Sequence, residues 1–219
     1  MNSYVTIMTK QLNRTRKDPT QTRQRIVDAT VALHEELGPA ATTISAIAGR
    51  AEVQRLTVYR HFPDERALLG ACSSDWNAQH PLPDPAVWAG LEDPSERLRV
   101  ALTALYGYYR DGERMLTSVL RDEGEVPALA EVMEPFHAYL RELAGSLATG
   151  WGVRVEAQRV IRAVVGHTVQ FETYRSLARQ DLTAQEAADL MMEFVSAVVG
   201  RRGRGSAYRS KPKTSAHQP

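Results

Sequence analysis

Six side chains able to donate hydrogen bonds to an anion or a base edge fall within a short run: Gln54, Arg55, Thr57, Tyr59, Arg60 and His61. Arginine, threonine and tyrosine are phosphate donors, and glutamine and arginine can engage base edges in pairs of hydrogen bonds. The same run spaces Val58 and Phe62 four apart, so a helix here would bury one side and present the donors on the other. Just upstream, Ile44, Ile47, Ala48 and Ala51 recur at i, i+3, i+4 and i+7, one apolar helical face. Thr43 precedes that face, where a hydroxyl can cap free backbone N–H groups. Only Glu52, Val53 and Gln54 separate the two patterns, a gap that throws the second helix across the first, as in a helix-turn-helix. On spacing alone, a small helical corner with a polar solvent face accounts for the pattern equally well.

The residues Thr42-Thr43, Ile47-Ala48, Ala51, Val53, Thr57 to Phe62 and Leu68-Leu69 together resemble the DNA-binding motif of the TetR family of transcriptional regulators, over roughly residues 22 to 70. The resemblance implies an all-α fold of about nine helices, with a three-helix DNA-binding head and a larger body for ligand sensing and dimerisation. It implies DNA contacts from Thr43, Ser45, Gln54, Arg55, Leu56, Thr57, Tyr59, Arg60 and His61. It further implies a homodimer paired through the last two helices, an inverted-repeat operator in double-stranded DNA, and repression relieved by an unknown small-molecule effector. No cofactor is expected. Three positions depart from the pattern. Glu52 replaces a turn glycine and must adopt an unusual backbone angle or reshape the turn. Leu56 replaces a small residue or proline, and either meets a thymine methyl or packs. Glu65 replaces a phosphate-binding lysine, for which Arg66 is a possible substitute.

Other chemistries find little support. The sequence has no glycine-rich phosphate loop, no HExxH or CxxC metal spacing and no nucleophile motif, so it is not expected to be an enzyme. Asp122-Glu123 with Glu125 could hold a metal, although a solvated acidic turn explains them as well. The lone Cys72 excludes an internal disulfide and suits a small buried hydrophobe. The competing class is a helical small-molecule-binding protein or enzyme with a vestigial DNA head, which Glu52 and Glu65 keep open.

Charge is polarised. Residues 1–25 carry six basic and one acidic residue, a net of +5, and residues 201–219 carry six basic and none acidic, a net of +6. The remaining 15 basic and 25 acidic residues leave the middle at −10. Basic arms can neutralise phosphates that an acidic body repels. No apolar run approaches membrane-spanning length and MNSYVTIMTKQLNR lacks a signal-peptide core, so a cytoplasmic protein without membrane contact is expected.

These features suggest a flexible basic arm over 1–21, a helix-turn-helix domain over 22–66, a helical ligand-binding and dimerisation domain over 67–200 and a disordered basic tail over 201–219. The first helix is placed at 22–37, with Ile26, Ala29, Thr30, Leu33 and Leu37 on one face, and Arg23 and Arg25 beside DNA phosphates. Asp64 caps a helix to about Gln79, and helices follow at 94–109, 113–121, 127–149, 155–180 and 183–199, the last opened by a Thr183–Glu186 capping box. Ala163, Gly166 and Gln170 give the penultimate helix a second, smaller face for a partner helix. Candidate effector contacts are Trp88, Tyr106, Tyr109, Arg110, Phe136, His137, His167, Gln170, Phe171 and Tyr174, with Met115 and Tyr139 behind them. Most of these suit an ordinary core. His167 stands out as a titratable group on an apolar stripe.

Overall fold

The structure, a computed structural model, describes residues 18–204. They form eleven helices and no strand: α1 Pro19–Glu36, α2 Ile44–Arg50, α3 Arg55–His61, α4 Glu65–Gln79, α5 Ala86–Ala89, α6 Pro94–Asp111, α7 Glu113–Asp122, α8 Pro127–Leu147, α9 Val155–Thr168, α10 Phe171–Ala178 and α11 Ala184–Arg204. Two helices beyond the expected nine arise from the four-residue α5 and from a break in the expected 155–180 helix. No helix among the described residues is long and apolar enough to cross a membrane.

Packing divides the described chain into two units, residues 18–80 with 114–133, and residues 81–113 with 134–204. The boundary expected at 66/67 is not where packing divides, because α4 and most of α7 belong to the first unit.

In the first unit Asp18 accepts a hydrogen bond from Thr20 N at 2.9 Å and Pro19 fills the first helical position, so α1 starts three residues before the helix start expected at Thr22. The residues preceding Asp18 lie outside the described part. Ile26, Ala29, Thr30 and Leu33 face inward as expected, but Leu37 caps the helix and is exposed. Ile26, Val27 and Leu33 form one core with Ile47, Ala48, Val58, Phe62, Leu68 and Cys72. Burial pushes the Cys72 thiol up to about 12, the state of a packing residue.

The loop after α1 is held by the end of α7. Asp122, 4% exposed, accepts from Ala40 N at 3.0 Å and from Arg121 Nε at 2.6 Å, and Arg121 Nη2 donates to Leu37 O at 2.9 Å. Asp122 is therefore a buried partner of Arg121 and the α1–α2 loop rather than part of a solvated acidic turn. Gly38 makes the contact possible. Its φ is +91°, and a Cβ there would lie 2.0 Å from Arg121 Nη2 and 2.3 Å from Asp122 Oδ2. His34 is buried nearby. Desolvation pulls its imidazole down to about 4, against a smaller opposing pull from Asp122.

In the second unit α6 buries Leu98, Ala101, Leu102, Leu105, Tyr106, Tyr108 and Tyr109 and packs chiefly on α11. Tyr106 and Tyr109 explain the break between α9 and α10. Their hydroxyls donate to Thr168 O at 2.7 Å and Val169 O at 2.6 Å, carbonyls that a continuous helix would have used itself. Gly150 and Gly152, with φ of +83° and +61°, form the turn before α9. The capping box of α11 is present, with Thr183 N donating to Glu186 Oε2 at 2.8 Å and Glu186 N to Thr183 Oγ1 at 3.2 Å. α11 runs on to Arg204, so residues 201–204 belong to the helix rather than to the tail; the rest of the tail lies outside the described residues.

Gly38→Ala is expected to cost about 2 kcal/mol or more in denaturant unfolding, from left-handed strain plus collision with the Arg121–Asp122 pair. Gly70→Ala, on open helix surface where a Cβ meets nothing within 4 Å, should instead stabilise by about 0.5–1 kcal/mol. His34 also sets a pH dependence. Its folded value of about 4 lies below the unfolded 6.5, so the unfolded chain takes up the proton first. Its contribution is constant above pH 6.5, and stability falls by up to about 3 kcal/mol between 6.5 and 4. Unfolding curves of His34→Gln across that window should lack this slope.

Candidate nucleic-acid interface

Two seven-residue helices and the turn between them position the donors. Thr43 Oγ1 accepts from Ala46 N at 3.1 Å and starts α2, which ends at Arg50. Val53 N returns to Ala48 O at 2.9 Å, closing the turn. Glu52 takes φ +53°, the left-handed conformation that its place in the turn demands. Gln54 stands as N-cap of α3 with no side-chain capping bond, which leaves its amide for an outside partner.

α3 is sided as its spacing implies. Val58 is fully buried and Phe62 is 3% exposed. On the opposite side Gln54, Arg55, Leu56, Tyr59 and Arg60 are exposed, while Thr57 and His61 are half-buried. Leu56 is 74% exposed, which removes packing as its explanation. Tyr59 is 47% exposed, and neither Arg55 nor Arg60 makes an ion pair among the described residues. Thr43 and Ser45 are exposed at the start of α2. All nine expected contact residues are thus at least partly accessible, and none is lost to the core.

Three basic side chains near this surface have different fates. The Arg23 guanidinium lies 4.8 Å from the centroid of Phe62, a cation–π contact from α1 onto the end of α3. Arg23 was legible as a basic residue on an ordered helix, but its stacking on Phe62 has no sequence signature. Arg25 is half-buried. Arg66 pairs with Glu131 at 3.0 Å, so it is engaged rather than free to stand in for the lysine missing at Glu65.

The expected effector residues differ in their surroundings. Trp88, Tyr106 and Tyr109 are fully buried; Tyr174 packs on both tyrosines, Phe171 on Tyr109, and Phe136 lies against Tyr108. Met115 is buried in the first unit, and the Tyr139 hydroxyl donates to Pro83 O at 2.9 Å. Arg110 is exposed and paired with Asp111 at 2.9 Å. His167 is exposed rather than set in an apolar stripe, because the chain turns out of α9 just after it. His137 and Gln170 line an open groove.

Residues 26–72 match the family model described as bacterial regulatory proteins, tetR family. No curated protein is similar enough in sequence to match. Among solved structures the fold is similar to a TetR-like transcriptional regulator from Rhodococcus sp. RHA1, at 22% identity and TM-score 0.60, covering 82% of this chain and 96% of that one. It is also similar to a candidate transcriptional regulator from Pseudomonas aeruginosa PAO1, at 18% identity and TM-score 0.58, covering 87% and 97%. A HlyIIR mutant protein with a substituted linker is similar at 15% identity and TM-score 0.56, covering 85% and 100%. At these identities the structures establish the fold, and the head carries the family. Residues 26–72 therefore carry a TetR-family head, its helix-turn-helix at residues 44–61, and the described chain has the fold of the solved regulators.

Glu52→Gly should raise unfolding stability by about 1 kcal/mol, because glycine adopts the observed φ without a Cβ penalty. An unchanged or lower stability would show that the Glu52 side chain contributes something in the turn.

Proposed function

We propose that the protein is a homodimeric repressor that binds an inverted-repeat operator through α3 and leaves it when a small molecule binds the body. One observation carries this reading. α3 buries Val58 and Phe62 and turns Gln54, Arg55, Leu56, Thr57, Tyr59, Arg60 and His61 toward the outside. Donors for phosphates and base edges thereby share one surface with an apolar side chain suited to a thymine methyl. Thr43 and Ser45 extend the phosphate contacts from α2, and Arg23 adds one from α1.

A seven-residue helix reads only a few base pairs. Two such helices related by a twofold axis reach successive major grooves, about 34 Å apart. The second unit offers a face for the pairing. Leu190 and Phe194 on α11 are 41% and 45% exposed, and Ala163 is exposed on α9. Apolar groups of this size left in water favour association. We place the protein in the cytoplasm, where its target DNA lies, with repression as its mode and no membrane partner.

A footprint on the DNA upstream of the protein's own gene should reveal a palindromic site. Fluorescence-anisotropy titrations should show log K falling with log salt at a slope near −0.9 per phosphate contact. Thr57→Ala and Tyr59→Phe should each weaken operator binding about tenfold with little change in melting temperature. Leu56→Ser should selectively lose affinity for sites with thymine at the contacted position. A chain that is monomeric by light scattering, or whose DNA binding ignores both sequence and salt, contradicts the proposal.

A further inference from the structure

The first unit holds a cavity of about 180 Å³ where α1, α2, α3 and the start of α4 meet. Its floor is apolar and closed to solvent, with Ile47, Phe62, Leu68 and Leu69 each 5% exposed or less. Its rim is formed by Thr42, Tyr59, Asp64 and Glu65, which are half-buried or exposed. Tyr59 is the one lining residue among the expected DNA contacts, and the helices expected to pair in a dimer contribute none.

Protein interiors leave few voids larger than a water molecule. This one contains a polar group without a partner. The His34 imidazole is 6% exposed, lines the cavity from α1 and makes no hydrogen bond among the described residues. Asp122 acts on it through charge alone. Buried polar groups are as a rule hydrogen-bonded, so the ring is left with capacity that an occupant of the cavity can satisfy. Desolvation holds the ring neutral, and a neutral imidazole offers one N–H and one acceptor nitrogen.

The rim restricts the charge of that occupant. Thr42 Oγ1 donates to Gly38 O at 2.7 Å and can only accept further bonds. Asp64 and Glu65 add two carboxylates, and no lysine or arginine lines the cavity. An anion would meet like charge at the entrance.

We propose that this cavity binds a one-ring hydroxyaromatic molecule of the phenol class, its ring among Ile47, Phe62, Leu68 and Leu69 and its hydroxyl hydrogen-bonded to His34. A hydroxyl both donates and accepts, so it matches the imidazole in either tautomer. An apolar cavity of about 150 Å³ admits a benzene-sized molecule, which sets the size at one ring. The site lies in the unit that carries the helix-turn-helix, apart from any effector site in the body. Because Tyr59 is both a wall of the cavity and a donor on α3, an occupant also bears on the operator contact proposed above; that consequence alone rests on the proposed function.

Nuclear magnetic resonance titration of the full chain with phenol, toluene and benzoate tests the assignment without DNA. Phenol should saturate one site per chain below about 5 mM, shifting the methyl signals of Leu68 and Leu69. Toluene has the same shape and is more apolar, yet should bind about tenfold weaker because it leaves the imidazole unpaired, and benzoate should bind no better than toluene. His34→Leu should reverse the order of phenol and toluene. Ile44→Phe, which fills the cavity from its half-buried edge, should abolish binding of both with helical circular dichroism unchanged, and it stands in for His34→Leu if that variant does not fold. Three results overturn the site: no saturable shift with phenol, as for a cavity that holds solvent only; toluene binding as tightly as phenol; or phenol affinity indifferent to the folded variants. Saturating phenol should change operator affinity about fivefold or more. Unchanged operator affinity with phenol bound overturns the coupling through Tyr59, whereas loss of the operator reading leaves phenol binding as measured.

Discussion

The burial of Val58 and Phe62 is the contact on which the donor-bearing surface of α3 depends. A helix of seven residues is unstable by itself, because nucleation costs more than so few hydrogen bonds return. α3 therefore persists only where the core of the first unit receives it, through Val58 against Ile26, Val27 and Ile47 and through Phe62 under the Arg23 guanidinium. Once those two side chains point inward, helical geometry leaves Leu56, Tyr59 and Arg60 no direction but outward. Orientation of the donors follows from packing, not from any property of the donors.

A second constraint acts on the segment that enters this motif. The loop from α1 to α2 is short and carries backbone N–H groups that need partners. Asp122 meets Ala40 N and the Arg121 guanidinium meets Leu37 O, so one ion pair serves both ends of the loop. Arg121 draws the Asp122 carboxyl below its usual range, since the charged form is the one that accepts these bonds. His34 pays the opposite way, being held neutral by burial. Breaking such a pair costs more than its formation gains, because the partner is left without compensation. Gly38 admits the pair by having neither a Cβ nor an aversion to positive φ.

Legibility in the sequence followed locality. Caps at Thr43, Asp64 and Thr183 were readable because their partners lie within four residues. The accessible side of α3 was readable because Val58 and Phe62 set its phase. Long-range contacts were not. Asp122 looked like part of an acidic turn because its partner Ala40 is 82 residues away. The 155–180 stretch looked like one helix because nothing local reveals that Tyr106 and Tyr109 capture the carbonyls of Thr168 and Val169, 62 and 60 residues away. Leu37 fitted the apolar phase of α1, but the helix had already ended before it.

The aromatic residues of the second unit illustrate the same limit with a functional consequence. Tyrosines with polar ends look like ligand contacts when only the sequence is in view. Here burial raises Tyr106 and Tyr109 well above the usual phenol range, and both hydroxyls are already committed to backbone carbonyls. An effector placed among them would have to displace those bonds and reopen the α9–α10 junction, at the cost of two unsatisfied buried carbonyls.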